Sequence, residues 1–119
     1  MTQRYDLRAS LVQRKCKPIA PGTPALGGNE ISEMIGSLHG WEYVDRGIEK
    51  TYLFGNYYET IAFVNALAFI AHQEDHHPDL QVGYNRCKVR FSTHSVGGLS
   101  ENDFICAAKI EAMLHLEQD

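Results

Sequence analysis

Four of the six histidines in the chain, His72, His76, His77 and His94, fall between residues 72 and 94. Imidazole is the side chain that both gives and takes a proton near neutrality, so such a crowd has chemical potential. Three uses fit these residue types at these spacings. The histidines could be ordinary surface or cap residues, since an imidazolium near the C-terminus of a helix interacts favourably with its dipole. His72 and His76, four apart, could chelate zinc with His77 or Asp79 nearby, although no His-Glu-x-x-His pattern is present and no cysteine joins them. They could also act without metal, as acid and base around one substrate.

Positioning such groups requires elements on both sides of them. Tyr57 to about Asp75 reads as the longest helix, and Pro78 ends the helical run because the residue before proline is pushed out of helical conformation. His76 and His77 thus leave the helix surface and can point into a cleft. His94 follows a strand expected over Cys87–Thr93 and precedes the Gly97-Gly98 break. If the strand ends and the helix end meet at one rim of a sheet, the imidazoles converge there.

The remaining elements fill in a two-layer plan. Asn29 is the expected N-cap of a first helix whose Ile31, Met34, Ile35 and Leu38 form an apolar stripe stopped by Gly40. Trp41–Val44 and Glu49–Phe54 read as a hairpin around Asp45-Arg46-Gly47, and Leu80–Tyr84 precedes a turn at Asn85-Arg86. Ser100 to Asp103 resembles a capping box opening the last helix, with Asp in place of Glu or Gln. The expected class is α+β: a four-stranded antiparallel sheet with helices on one face, in the order α-β-β-α-β-β-α. Residues 1–28, with their Pro and Gly breakers, are expected to be an irregular N-terminal leader to a single domain at 29–119.

Composition narrows the function. The chain has 119 residues, a formal net charge of −4 and no concentrated basic patch, which argues against nucleic acid as a partner. No apolar run approaches the length of a membrane span, and the first ten residues lack the apolar core of a secretory signal. Three widely spaced cysteines suggest neither a disulfide framework nor a thiolate zinc site, so the expected compartment is cytoplasmic. Apolar residues surround the long helix almost completely, which fits a deeply buried core helix or, better in so small a domain, self-association.

The run Glu74-Asp75-His76-His77-Pro78-Asp79-Leu80, then Tyr84, Ser92-Thr93-His94 and Gly97 to Phe104, resembles the signature of the pterin-4a-carbinolamine dehydratase family. Leu38-His39-Gly40-Trp41 and Tyr52-Leu53-Phe54 resemble it too, so the similarity spans about residues 29–115. The resemblance implies loss of water from a 4a-hydroxytetrahydropterin to give the quinonoid dihydropterin, with neither cofactor nor metal. It implies His76, His77 and His94 as catalytic residues. Asp75, Pro78, Thr93, Ser95 and Val96 then shape the substrate pocket, with Trp41 either an apolar wall of it or plain core. Asp103 is expected to cap its helix and organise the His94 loop, in preference to carrying a proton. Many relatives carry glutamate where this chain has His72, which leaves open what orients a catalytic imidazole. The resemblance also implies a homodimer or homotetramer and a functional link to an aromatic amino-acid hydroxylase. The rival reading is a non-catalytic binding or assembly protein of the same fold.

Overall fold

The computed structural model describes residues 2–114, and the side chains of residues 6–114. Its sheet has the order β1-β2-β4-β3, every neighbour antiparallel, from β1 (Glu42–Val44), β2 (Gly47–Leu53), β3 (Asp79–Val82) and β4 (Arg86–Phe91). Alternation in β4 decides which face is covered. Cys87, Val89 and Phe91 are buried, while Arg86, Lys88 and Arg90 point the other way. Their partners follow suit, with Ile48, Leu80 and Tyr52 on the covered face. The opposite face carries charge instead: Glu49 pairs with Arg90 at 2.8 Å and with Lys88 at 3.4 Å. This is an α+β fold with a half-covered antiparallel sheet.

Arg90 also fixes the β1–β2 turn. Its guanidinium donates to the carbonyls of Val44 and Asp45 at 2.8 and 2.7 Å. Asp45 and Arg46 both have positive φ, as a two-residue hairpin turn of this hand requires. Gly47 follows because a Cβ there would lie 2.6 Å from the Arg90 guanidinium carbon.

Among the described residues four α-helices accompany the sheet: α1 (Thr2–Gln13), α2 (Gly28–Gly36), α3 (Tyr57–Glu74) and α4 (Glu101–Leu114). The first corrects the expectation of an irregular leader across residues 1–28. The proline and Gly-Gly breakers all lie after position 17, and none interrupts residues 2–13. Leu11 is fully buried there, which stabilises the docked helix by about 1.5–3 kcal/mol. Lys109 Nζ donates to the Val12 carbonyl at 2.7 Å, and Arg14 pairs with Glu101, so the end of α1 is tied to α4.

Helix α2 starts two residues earlier than expected. Gly27, not Asn29, is its N-cap, and the Gly27 amide donates to Glu30 Oε1 at 3.0 Å. The cap of α3 is Asn56, whose Oδ1 accepts from the Glu59 amide at 2.8 Å. Strand ends shift by one or two residues from the expected ones. The core sits between the covered sheet face and α3 and α4, around Ile48, Leu67, Val89, Phe91, Phe104 and Ile110.

Candidate active site

The end of α3 is where the chain turns its histidines outward. Asp75, one residue past the helix, is left-handed (φ 53°, ψ 44°). The His76 amide reaches back to the Ala71 carbonyl at 3.2 Å, satisfying an orphan acceptor of the last turn. This reversal aims the chain at the sheet, and Pro78 prevents a return to helix. His76 arrives stacked on Phe91 at the end of β4, with ring centroids 5.9 Å apart and planes 9° from parallel.

The other edge of that imidazole meets α4. His76 Nε2 lies 2.6 Å from Asp103 Oδ1, and the Asp103 side chain is fully buried. A carboxylate only accepts, so Nε2 carries the proton of this bond and Nδ1 is the basic atom of the neutral ring. Asp103 Oδ2 accepts from Thr93 Oγ1 at 2.7 Å and from the Ser100 amide at 2.9 Å. Thr93 Oγ1 lies a further 2.7 Å from Ser100 Oγ. One carboxylate therefore caps α4, fixes the end of β4 and orients His76.

His94 opens a 3-10 turn, His94–Val96, that a left-handed Gly97 closes. The Thr93 amide donates to the Gly98 carbonyl at 2.7 Å, so the loop is a closed ring whose base Asp103 holds. His94 and His77 are both exposed. An open cavity of about 380 Å³ brings His76, His77, His94, Asp75, Thr93 and Ser95 together. Among the described residues, no group of three or more His, Cys, Asp or Glu side chains converges in a way that could hold a metal ion.

Known proteins share both the sequence pattern and the fold. The family model described as Pterin 4 alpha carbinolamine dehydratase matches residues 24–113. The chain belongs to that family. A Nitrosomonas eutropha protein provisionally named pterin-4-alpha-carbinolamine dehydratase is 54% identical over 105 residues, covering 87% of this chain and 93% of its own. A similarly named protein from Nitrosospira multiformis is 52% identical over 106 residues, covering 89% and 94%. The crystal structure of a transcriptional coactivator/pterin dehydratase from Brucella melitensis superposes with a TM-score of 0.72 at 33% identity, covering 75% of this chain and 97% of that one. A pterin dehydratase-like protein identified as a RuBisCO assembly factor in the alpha-carboxysome shares the fold, with a TM-score of 0.54 at 24% identity over 63% of this chain and 89% of that one. As a dehydratase of this family the chain is a hydro-lyase acting on a pterin carbinolamine.

Three of the residues expected at the dehydratase site stand apart from the cavity lining. Pro78 and Val96 are half-buried beside it. Trp41 is buried in the core, against Phe91 at 6.1 Å and with Nε1 donating to Glu111 Oε2 at 3.2 Å. His72, in the last turn of α3, is exposed and absent from the lining. Asp103 is an orienting carboxylate as well as a cap, a role its place in the capping box did not disclose. Pro18, Ile19, Ser92 and Asn102 complete the lining, and sequence reasoning missed all four. Ser92 had a signal, since it adjoins Thr93. Pro18 and Ile19 had none, because nothing local says where an irregular segment is pinned.

Proposed function

We propose that this dehydratase removes water from a 4a-hydroxytetrahydropterin by metal-free acid–base catalysis, with His76, His77 and His94 as the catalytic residues. The carrying observation is the His76–Asp103 bond at a cavity that His77 and His94 also line. The hydroxyl on C4a leaves with a proton as water, and N5 gives up its proton as the C4a–N5 double bond forms. One molecule of water is lost and no electrons are exchanged with the protein. Imidazoles on one cavity can serve both proton transfers near neutral pH, each supplying about 10²–10⁴-fold. The Asp103 carboxylate keeps the His76 ring in one tautomer and one orientation. Asp75, Thr93 and Ser95 shape the pocket in this reading.

The product is the quinonoid dihydropterin, which places the enzyme in tetrahydropterin recycling beside an aromatic amino-acid hydroxylase, in the cytoplasm. The protein works as a homo-oligomer: Tyr58 and Phe69 of α3 are 82% and 65% exposed, and no described element of the chain covers them. Sedimentation at micromolar concentration checks this, and a single 13.4 kDa species would overturn it.

The test of the activity is the dehydration rate in a coupled phenylalanine hydroxylation assay. Wild type should accelerate it, and folded His76→Ala, His77→Ala and His94→Ala variants should do so less. Properly folded wild type without acceleration would leave a non-catalytic binding or assembly role for this fold.

A further inference from the structure

The family match begins at residue 24, yet Pro18 and Ile19, which precede it, line the cavity. Among the described residues they are also the only wholly apolar side chains in that lining. We propose that the strap formed by residues 16–19 is a substrate-contacting wall of the pterin pocket, with Ile19 determining affinity and Asn102 positioning it. The inference rests on the pterin reading of the cavity and assigns that pocket a side the family's matched region does not supply.

The strap is held by specific bonds to the two helices that deliver the site. The Lys17 amide donates to Asn102 Oδ1 at 3.1 Å, and Asn102 Nδ2 donates to the Lys17 carbonyl at 2.8 Å. Asn102 thus pairs with Lys17 as a neighbouring strand would, satisfying both backbone groups. One residue earlier, the Cys16 amide donates to Glu74 Oε1 at 2.8 Å, at the last residue of α3. Cys16 Sγ lies 3.6 Å from the Asn102 carbonyl oxygen and 3.6 Å from Cys106 Sγ. Glu74 sits two residues before His76, and Asn102 adjoins Asp103. The strap is therefore registered to the same backbone that sets the imidazole and its carboxylate.

Pro18 makes the strap stiff. It fixes its own φ and keeps Lys17 extended, so Ile19 is presented on a backbone with little freedom to lose on binding. Ligand pockets combine a few polar groups with apolar walls that exclude water and take up the flat faces of a ring system. Here the histidines, serines and Asp75 provide the polar part, and Pro18 and Ile19 the apolar part.

The experiment compares Ile19→Ala, Asn102→Ala and Asn102→Asp with wild type in two readouts. The first is steady-state dehydration. The second is the Kd for 7,8-dihydropterin, a reduced pterin without the 4a-hydroxyl, read from its fluorescence. Ile19→Ala is expected to raise both KM and Kd about tenfold, the worth of a small apolar contact, and to leave kcat within twofold. The Asn102 variants should move the same constants by less, with Asn102→Asp, which keeps the acceptor for Lys17, the milder. Unchanged KM and Kd in Ile19→Ala would overturn the proposal, as would a fall in kcat at constant KM. If wild type binds dihydropterin but does not dehydrate, the catalytic reading fails, and the Kd comparison alone judges the strap. Wild type that binds no pterin overturns both.

Discussion

Helix α4 carries two buried carboxylates eight residues apart, roughly 12 Å along its axis. Asp103, at its start, holds His76, Thr93 and the Ser100 amide. Glu111, two turns on, holds Trp41 Nε1, Lys50 Nζ and the Tyr52 hydroxyl, all on Oε2. Both satisfy a buried charge with several donors, as a low-dielectric site demands. The partners differ in what they can do afterwards. Burial, with the Glu111 carboxylate beside it, pushes the Tyr52 hydroxyl far above its ordinary value, so it stays protonated at any working pH. Lys50 and the Trp41 indole likewise only donate. The Asp103 cluster instead ends in an imidazole at the edge of an open cavity, whose second nitrogen is a base. The same device, a carboxylate on one helix, secures the core at one end and orients an acid–base group at the other.

Substitutions should separate the two clusters. His76→Ala is expected to lower kcat about 10²–10⁴-fold with little change in the far-ultraviolet circular dichroism spectrum. Asp103→Asn keeps the side-chain shape and an acceptor for the α4 cap but no longer fixes the imidazole tautomer. We expect about a 10²-fold fall in kcat, a smaller effect than that of a triad aspartate because the other histidines still line the cavity. Glu111→Gln should leave kcat within threefold. Equal losses from Asp103→Asn and Glu111→Gln would mean that both carboxylates act only through the stability of α4, and the contrast would collapse.

Stability should show the reverse pattern. Glu111→Gln exchanges charge-assisted bonds from Lys50, Tyr52 and Trp41 for weaker ones, at a cost of about 2 kcal/mol by urea denaturation at pH 7. The pH dependence sharpens this. Burial works against the charged form of Glu111, but the Lys50 and Tyr52 hydrogen bonds and the Lys50 charge outweigh it, so its folded-state pKa lies below the ordinary 4.5. An acid with a depressed folded-state pKa contributes stability that is fully present above the unfolded-state value. That stability is lost as pH falls through the folded-state value. The gap between wild type and Glu111→Gln should therefore hold from pH 7 to about pH 5 and narrow below 4.5. A gap that widened on acidification would mean that Glu111 is held protonated.

What the sequence disclosed follows how local each signal is. Strand alternation at Cys87, Val89 and Phe91, and the Pro78 stop, are read within a few residues, and those elements lie where expected. The convergence of His76, His77 and His94 was legible because a helix end and a strand end must share a rim once the hairpins pair. The partner of His76 was not. The family pattern directs attention to position 72, whereas the carboxylate comes from residue 103, and only the packing of α4 against α3 brings it within 2.6 Å of His76. Helix α1 was missed for a related reason. Its apolar residues are sparse, and its docking depends on Leu11, Arg14 and the Val12 carbonyl finding α4 nearly a hundred residues on. Trp41 shows the limit most clearly, because wall and core are equally natural fates for one aromatic beside a strand.

Trp41→Phe is the mildest probe of the comparison and bears on that ambiguity. The ring is 6% exposed and packs edge-on against Tyr52 at 6.3 Å. Phenylalanine keeps much of the apolar contact and loses the indole donor to Glu111, while Lys50 and Tyr52 still serve the same oxygen. The expected cost is about 1 kcal/mol, the net worth of one hydrogen bond, with kcat and KM within twofold of wild type. In a Glu111→Gln background the further loss should be smaller, since the bond it removes is already weakened, and that non-additivity identifies Trp41 as a member of the Glu111 cluster. A severalfold rise in KM with stability unchanged would instead put the indole against the substrate and extend the pocket across β4.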